Sequence, residues 1–398
     1  MSSSLYSINT YQKGSYIILE GEKRAGNFFI VKEGKVNISR KNPVIGEKQS
    51  EVMGPGDFFG VVGAMSQLTQ MESAYALTKV VTITVNYKRF PELVQNNPVM
   101  VTKIIRSFSR KLRQFSHRDL ESNDIQISDT ENYRILYNTA CTYLKYNRKR
   151  IATYMLKAYL HYHPNGAEAE DAREKLNALN VTTPLERKMG GVQMFDDGEI
   201  IFCENEPTKE VYILKEGKVK ISRMIDKKEV QLFIMMPGDI FGEMSLLENK
   251  TRSATATALE DCELVVIKKE NFEMMAKKEP QLTARLISLL AERIWNANKL
   301  VLNSYLPDLD TKILDMLLIL YERSKTIVSD FQTFNFNITF TDVIGMVGLE
   351  ERIDKLESTF LLSHKFIKLE QNLLACTNIP ALERLVKARR AKIDTNEE

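Results

Sequence analysis

Residues that commonly bind metals are scarce in this sequence. Its four cysteines are widely separated and form no CxxC pair; they are Cys141, Cys203, Cys262 and Cys376. Histidine is equally rare, and His161 and His163, two residues apart, would point in different directions from a helix. This spacing argues against a zinc site or an iron–sulfur cluster. We expect reduced, mostly buried thiols and no bound metal.

Long hydrophobic runs are also missing. The longest strongly apolar stretch, residues 313–321, is short and contains Asp315, so we expect no membrane-spanning segment. The opening MSSSLYSINT lacks the charged-then-apolar pattern of a secretory signal. These features predict a cytoplasmic protein.

The motifs of the common nucleotide-dependent and hydrolytic enzymes do not occur. There is no Walker phosphate loop, dinucleotide glycine fingerprint or nucleophile elbow, so we expect no enzymatic activity. With 398 residues, 43% hydrophobic and 27% charged, the chain can form several ordinary globular domains. The net charge of +3 argues neither for nor against nucleic acid.

The most informative segment is FGEMSLLENKTRSATA, residues 241–256. A short helix over 242–247 would present free N–H groups and a positive dipole end to an anion. Arg252 adds a planar cation that suits a phosphate oxygen. Glu243 only accepts hydrogen bonds, as a ribose hydroxyl requires. A phosphate and a ribose hydroxyl together indicate a cyclic nucleotide.

This segment resembles the phosphate-binding cassette of the cyclic nucleotide-binding domains. The likeness covers residues 194–275, including VYILKEGKVKIS (211–222) and PGDIFGE (237–243). It implies that Glu243 holds the ribose 2′-hydroxyl and Arg252 the cyclic phosphate. Gly242 and the backbone N–H groups of three further residues would complete the phosphate site; these are Ser245, Ser253 and Ala254. The alternative is a surface ion pair between Glu243 and Arg252 in a β-roll that binds nothing.

The same module occurs earlier in the chain. FFIVKEGKVNISRK (28–41) repeats the approach segment almost residue for residue, and MGPGDFFG (53–60) repeats the turn. The binding residues are not repeated, because Val61 takes the place of Glu243. Either Gln70 or, in a gapped alignment, Glu72 stands opposite Arg252. A phosphate would lack its cation and meet a carboxylate, so we predict a degenerate β-roll; a ligand without phosphate is the alternative.

Helical segments surround the second module. A helix opening at Asn97-Pro98 is followed by a polar linker, 117–132, and a helical insert, 131–180, with tetratricopeptide-like positions. Within the insert, KYNRKR (145–150) is interpreted as a solvated turn. After the second module, 280–305 reads as a helix, from which Asn298 could reach a purine edge. Trp295 could stack on the base or lie exposed at an interface.

The C-terminal pattern predicts a helix over 308–321, a strand over 334–340, and then helix, turn, helix and wing over 341–376. This order resembles the winged helix of the catabolite activator family. Its second helix is rich in carboxylates, which would repel a phosphate backbone; its charged residues are Glu350, Glu351, Arg352, Asp354, Lys355 and Glu357. The tail 384–392 is basic.

The sequence therefore predicts an α+β chain related to the catabolite activator (CRP/FNR-like) regulators. Two antiparallel β-roll (jelly-roll) domains, at 1–120 and 190–305, are separated by the tetratricopeptide-like spacer at 131–180. A winged-helix-like domain follows at 306–398. We expect a cyclic nucleotide sensor that binds cAMP rather than cGMP, because Ser253 stands where some cGMP-selective relatives have threonine. Its output is DNA binding as a homodimer, or a ligand-controlled interaction with a protein partner.

Overall fold

The computed structural model describes residues 6–23, 26–41, 43, 48–116, 129–179, 191–207, 210–225, 228–243, 251–268, 270–271, 278–328, 332–347 and 353–394. The chain forms two compact units. One comprises Met1–Phe90 and Ala291–Glu398, and the other comprises Pro91–Leu290.

The first module consists of two four-stranded antiparallel sheets. Its strands are β1 (Ser7–Tyr11), β2 (Tyr16–Ile18), β3 (Asn27–Glu33), β4 (Val36–Ser39), β5 (Ser50–Met53), β6 (Phe58–Phe59), β7 (Ser73–Ala76) and β8 (Val80–Asn86). The strand orders are β1-β8-β3-β6 and β2-β7-β4-β5. A short helix, α1 (Val61–Ser66), follows β6. Buried side chains from both sheets form the core between them, among them Val31, Ile38 and Phe59.

The second module repeats this architecture strand for strand. Its strands are β9 (Gly191–Phe195), β10 (Ile200–Phe202), β11 (Glu210–Glu216), β12 (Val219–Ile225), β13 (Lys228–Met235), β14 (Ile240–Phe241), β15 (Thr255–Ala258) and β16 (Cys262–Lys268). The orders β9-β16-β11-β14 and β10-β15-β12-β13 correspond to those of the first module. The prediction of two antiparallel β modules in an α+β chain is confirmed.

Glycines fix the repeated turns. In the shared KEGKV segment, Gly34 and Gly217 have φ values of 87° and 88°. A Cβ atom would lie 2.2 Å from the Lys79 carbonyl oxygen at Gly34 and 2.5 Å from the Asp261 carbonyl oxygen at Gly217. Only glycine fits both this close approach and this backbone conformation. The two turns therefore keep the same sequence although the modules differ at the binding residues.

Helices dominate the segment between the modules. They are α2 (Phe90–Asn96), α3 (Pro98–Ser116), α4 (Asp129–Lys145), α5 (Lys149–Tyr162) and α6 (Ala169–Leu179). The predicted start at Asn97-Pro98 is confirmed, since the Asn97 side chain accepts the Met100 N–H at 3.1 Å. The predicted linker is wrong at its end, because α4 already begins at Asp129. Its residues 117–128 lie outside the described residues.

The helical insert shares a core with the second module. Ile200 and Cys203 of the module pack among buried residues of α4, α5 and α6. The Asn205 amide donates to Thr139 Oγ1 at 3.1 Å, and the Tyr154 hydroxyl contacts the Glu206 carboxylate at 3.2 Å. The insert and the second module thus fold as one body within their unit.

The C-terminal region begins with α7 (Pro280–Ser304) and α8 (Leu309–Ser324), close to the predicted bounds. The predicted strand over 334–340 is wrong beyond β17 (Phe334–Asn335). Asn337 has φ 55°, which interrupts an extended chain, and Thr339 forms a capping box with Asp342. These two features end the strand and start α9 (Phe340–Met346).

The elements that follow keep the predicted order. They are α10 (Ile353–Ser363), β18 (Ile367–Glu370), β19 (Leu373–Cys376) and α11 (Ile379–Asp394). β19 pairs with both β17 and β18 in a three-stranded antiparallel sheet. Val343, Ile344 and Phe360 are buried in the hydrophobic core of this region. Of the acidic helix, 350–352 lie outside the described residues.

Candidate functional site

Arg252 is held inside the second module by backbone carbonyls and aromatic rings. Its side chain is only 2% exposed. Nη1 donates to the Gly242 carbonyl, and Nη2 donates to the Glu210 carbonyl at 2.8 Å. The guanidinium carbon lies 4.0 Å from the ring centroid of Phe202 and 5.5 Å from that of Tyr212. This arrangement fixes a cation at the point where β14 ends.

The backbone around Gly242 is shaped to admit the guanidinium. Gly242 has φ 81°, and a Cβ atom there would lie 2.4 Å from Arg252 Nη1. Both the conformation and the space therefore require glycine. Gly242 also connects β14 to Glu243. One turn therefore positions both the carboxylate predicted to bind the ribose and the guanidinium predicted to bind the phosphate.

Glu243 is fully buried, with 0% exposure. Because Arg252 is buried as well, the alternative of a surface ion pair is wrong. A carboxylate enclosed in this way costs free energy unless polar groups surround it, which is typical of a built site rather than of a solvated surface. The structure thus brings Glu243, Gly242 and Arg252 together.

The other predicted phosphate-site residues follow Arg252 directly. Ser253 is partly buried and Ala254 is 6% exposed, immediately before β15. Ser245 lies outside the described residues, as does most of the predicted helix over 242–247. The roles of these residues toward a ligand stay predictions.

Phe202 and Tyr212, the rings that face the guanidinium, were not singled out from the sequence. A signal does exist in the comparison of the two modules. By strand register Phe202 corresponds to Ile18. The second module, which has the arginine, thus has an aromatic ring at this position, whereas the first module, which lacks the arginine, does not. This pairing could have identified Phe202 as part of the arginine site.

The first module settles which residue stands opposite Arg252. Ile18 pairs with Ala74 on β7, and Phe202 pairs with Ala256 on β15. Counting back from these pairs places Gln70 at the position of Arg252. The backbone bonds agree: the Gln70 N–H donates to Glu22 O and its carbonyl accepts the Gly21 N–H, while Arg252 makes the same two bonds to Glu206 and Asn205. The ungapped alignment is therefore correct.

Gln70 also replaces Arg252 in its contacts. Its amide Nε2 lies 3.5 Å from the Gly60 carbonyl, the counterpart of the Gly242 carbonyl. A Cβ atom on Gly63 would lie 2.5 Å from Gln70 Oε1, so the amide packs directly against Gly63. Gly63 is the counterpart of Ser245. A neutral amide thus stands beside the segment where the second module has its candidate phosphate site.

Glu72 has a structural role in the first module. Its carboxylate accepts the Gly60 N–H at 3.2 Å and lies 2.6 Å from Arg40 Nη2. The Arg40 side chain is 8% exposed and that of Glu72 is 15% exposed. By register Glu72 corresponds to Ala254, not to Arg252. The first module therefore has a charge pair of its own, Arg40 and Glu72. The Glu72 carboxylate also accepts the backbone N–H of Gly60, the residue that precedes α1.

Trp295 does not have the exposure that the sequence suggested. Its side chain is 0% exposed, and the indole N–H contacts the Thr69 carbonyl at 3.2 Å and the Thr69 hydroxyl at 3.1 Å. Leu68 and Ile319 form a buried cluster with it. The expectation of an exposed interface residue is wrong, and the enclosed ring is not available to stack on a base. Asn298 is 7% exposed and belongs to the same unit as Trp295, so its base-capping role stays a prediction.

Two further searches of the described residues bear on other kinds of site. In that part of the chain, no group of three histidine, cysteine or acidic side chains is placed to hold a metal ion. Its helices include none that is long and apolar enough to cross a membrane.

Comparisons with known proteins point to one family. The model of the cyclic nucleotide-binding domain matches twice, at residues 8–97 and 192–279. A CRP-like cAMP-activated global transcriptional regulator of Mycobacterium tuberculosis is 29% identical over 179 residues, 44% of this chain and 79% of the relative. The cyclic AMP receptor protein of Thermus thermophilus is 34% identical over 107 residues, 27% of this chain and 50% of the relative.

A solved structure of a CooA variant from Carboxydothermus hydrogenoformans is 17% identical, has a TM-score of 0.41, and covers 49% of this chain and 87% of its own. The two family matches coincide with the two modules whose strand orders are the same. The relatives share the regulator class that the cassette sequence suggested. The chain therefore contains two cyclic nucleotide-binding domains in tandem, and it is similar in sequence to CRP-like regulators.

Proposed function

We propose that the second module is a cyclic nucleotide sensor, with cAMP as its preferred ligand over cGMP. One observation carries this proposal: a single turn at Gly242 joins a buried carboxylate, Glu243, to a buried cation, Arg252. Glu243 would accept the ribose 2′-hydroxyl, and Arg252 would bind the cyclic phosphate with N–H groups from Ser245, Ser253 and Ala254. Ser253 favours cAMP.

The contacts of Arg252 suggest how a ligand would change the module. Its guanidinium donates to two neutral carbonyls, those of Gly242 and Glu210. A phosphate oxygen is a stronger acceptor than a carbonyl, because both partners are then charged. Binding would draw Arg252 toward the phosphate and reorder the chain that follows β16, including α7, by a population shift.

For the output we propose transcriptional regulation through the C-terminal region. The succession α8, β17, α9, α10 and the β18–β19 hairpin supports a winged-helix-like domain. The Mycobacterium tuberculosis relative is a cAMP-activated global transcriptional regulator, which supports the same class of output. We propose that the chain acts in the cytoplasm as a homodimer, with α7 at the subunit contact and the tetratricopeptide-like insert as a spacer.

A ligand-controlled protein-interaction module is the second candidate. The charge of the predicted DNA-reading helix favours it, because carboxylates outnumber cations there. The carboxylates are Glu350, Glu351, Asp354 and Glu357. Carboxylates oppose binding to a phosphate backbone. In this case the insert and the first module would provide the docking surfaces.

Calorimetric titration with cAMP and with cGMP tests the sensor. We expect one saturable site per chain, tighter for cAMP, that disappears in Arg252→Ala. The same titration of Gln70→Ala is the matched control, because this residue has the equivalent position in the first module. Saturable heat that survives in Arg252→Ala, or no heat in the wild type, would reject the assignment.

An electrophoretic mobility-shift assay with duplex DNA, run without heparin, distinguishes transcriptional regulation from the protein-interaction function. A transcriptional regulator should retain duplex DNA at low salt with an affinity that falls steeply as salt rises, and cAMP should change this affinity. Absence of any retention at low salt, with and without cAMP, would leave the interaction module as the function.

A further inference from the structure

A second candidate binding site lies within the unit formed by the insert and the second module. It is an open cavity of about 510 Å³, within the size range of small-molecule sites. Its lining residues are Asn147, Arg148, Lys149, Arg150, Ile151, Gly198, Ile200, Lys220 and Thr257. None of these belongs to the Glu243–Arg252 cassette.

The β-sheet supplies one wall of the cavity. Thr257 on β15 pairs with Ile200 on one side and with Lys220 on the other, so the three residues lie side by side across three strands. Ile200 is 1% exposed, which makes this wall partly apolar. A ligand with an apolar or ring portion can rest against it.

The turn between α4 and α5 supplies the other wall. Asn147 has φ 59°, a left-handed conformation that reverses the chain after α4. α5 then begins at Lys149, and the first residues of the helix line the cavity. A Cβ atom on Gly198 would lie 2.4 Å from Arg150 Nη1, so the guanidinium sits directly over the β9–β10 turn. The segment interpreted as a solvated turn is a turn with exposed side chains at 147–150, and it also lines the cavity.

Positive charge dominates this cavity. Arg148, Lys149, Arg150 and Lys220 all line it. Glu229 lies 3.4 Å from Arg148 and 2.7 Å from Lys220, and so offsets part of this charge. Within the described residues, the side chains of Lys149 and Arg150 have no carboxylate partner.

Two further features favour an anionic oxygen ligand. The hydroxyl oxygen of Thr257 is buried at the cavity wall and has no hydrogen-bond partner among the described residues. A buried hydroxyl without a partner costs free energy that a ligand oxygen would recover. The N-terminal end of α5 adds its free N–H groups and positive dipole at the same wall.

We propose that this cavity binds a small phosphorylated molecule that carries two adjacent phosphates. Arg150 and Lys149 would bind the phosphate oxygens from the helix wall, and Lys220 and Thr257 from the sheet. A diphosphate matches the uncompensated charge better than a single phosphate does, and the cavity has room for an organic group beyond it. This site is independent of the cyclic nucleotide cassette.

Calorimetric titration of the full chain with inorganic pyrophosphate tests the proposal, at low ionic strength and in the presence of saturating cAMP. We expect one saturable site that weakens as salt rises, because exposed charges are screened. K149Q/R150Q should weaken binding at least about tenfold, since two charge-assisted contacts are lost. Both side chains are exposed, so this variant should unfold at the wild-type temperature.

K103Q/R106Q is the matched control. It removes the same two charges from exposed positions of α3 in the same unit, and it should keep wild-type pyrophosphate affinity. Equal loss in both double variants would show a nonspecific charge effect and overturn the site. So would the absence of saturable heat, or competition between pyrophosphate and cAMP for one site, which would place the anion in the cassette.

Discussion

Gln70 occupies in the first module the position that Arg252 occupies in the second. Both residues exchange the same two backbone hydrogen bonds with the preceding loop, and both direct side-chain nitrogen atoms toward the carbonyl of the glycine that ends the sixth strand of their module. At this position the first module has a neutral amide where the second has a cation, although the two backbone hydrogen bonds are the same. The modules also differ at the ribose carboxylate, where Val61 takes the place of Glu243.

Arg252→Gln should reproduce the first module in the second. The amide can still reach the Gly242 carbonyl but offers no positive charge to a phosphate. We expect cAMP binding to weaken by about 2–4 kcal/mol, as for removal of one partner from a desolvated charge pair. Calorimetry measures the loss, and Gln70→Ala should leave the cAMP affinity unchanged. A variant that binds cAMP like the wild type would show that the guanidinium does not hold the ligand.

Gly242→Ala tests whether the turn must stay open for the guanidinium. The methyl group would meet Arg252 Nη1 at 2.4 Å, on a backbone with φ 81°. We expect a loss of about 1–3 kcal/mol in the free energy of unfolding of this unit and weaker cAMP binding.

Gly238→Ala is its control. Gly238 has φ 91°, but nothing lies within 4 Å of a Cβ atom there. This variant therefore carries the conformational cost without the clash, and it should keep the wild-type cAMP affinity. If both variants lose the same affinity, the effect comes from backbone strain and not from displacement of Arg252.

Glu72→Ala should destabilise the first module without changing cAMP binding. The substitution removes the acceptor of the Gly60 N–H. It also removes the carboxylate that lies beside the buried Arg40 side chain. Loss of one partner from a buried pair costs about 3–5 kcal/mol. Trp295, the single tryptophan, is buried in the same unit and reports its unfolding by fluorescence.

Glu51→Ala is the matched control, because Glu51 is an exposed carboxylate on β5 of the same module. It should unfold with the wild type. Equal stability of Glu72→Ala and Glu51→Ala would mean that the Arg40–Glu72 pair contributes nothing to the fold.

Trp295→Phe should cost about 1 kcal/mol in unfolding free energy, since the ring stays buried and the hydrogen bond to Thr69 is lost. Trp295→Ala should cost about 3–5 kcal/mol, because it also leaves a cavity among Leu68 and Ile319. Circular dichroism measures both variants. Leu362→Ala, at a position that is 78% exposed in the same unit, should be neutral.

The repeated segments explain how far the sequence allowed prediction. Turn sequences such as KEGKV and PGD encode local backbone geometry and occur in both modules, so two β-rolls could be predicted from them. The cassette sequence 241–256 indicated the pair Glu243 and Arg252. Tertiary packing could not be predicted. The sequence around Trp295 does not determine whether its side chain faces solvent, a base or Thr69. Its environment depends on residues that are distant in the sequence and packed against it in the fold. Likewise, Asn337 and the Thr339 capping box overrode the alternating pattern that predicted a strand.

The carboxyl group of Glu204 gives a pH-dependent prediction for the other unit. This side chain is 4% exposed, and burial raises its pKa above the usual 4.5, although Tyr143 and Arg223 stabilise the charged form. The folded chain therefore holds this proton more tightly than the unfolded chain does. The resulting stability is complete below pH 4.5 and is lost as pH rises through the raised pKa.

Replacement of Glu204 by glutamine should remove this contribution, because glutamine does not titrate. The difference in unfolding free energy between wild type and Glu204→Gln should shift in favour of the variant as pH rises above 4.5. Denaturant unfolding at a series of pH values measures it. Glu216→Gln, at an exposed position of β11, should follow the wild type throughout. A difference between wild type and Glu204→Gln that stays constant with pH would mean that the Glu204 carboxyl has the same proton affinity in the folded and unfolded chains.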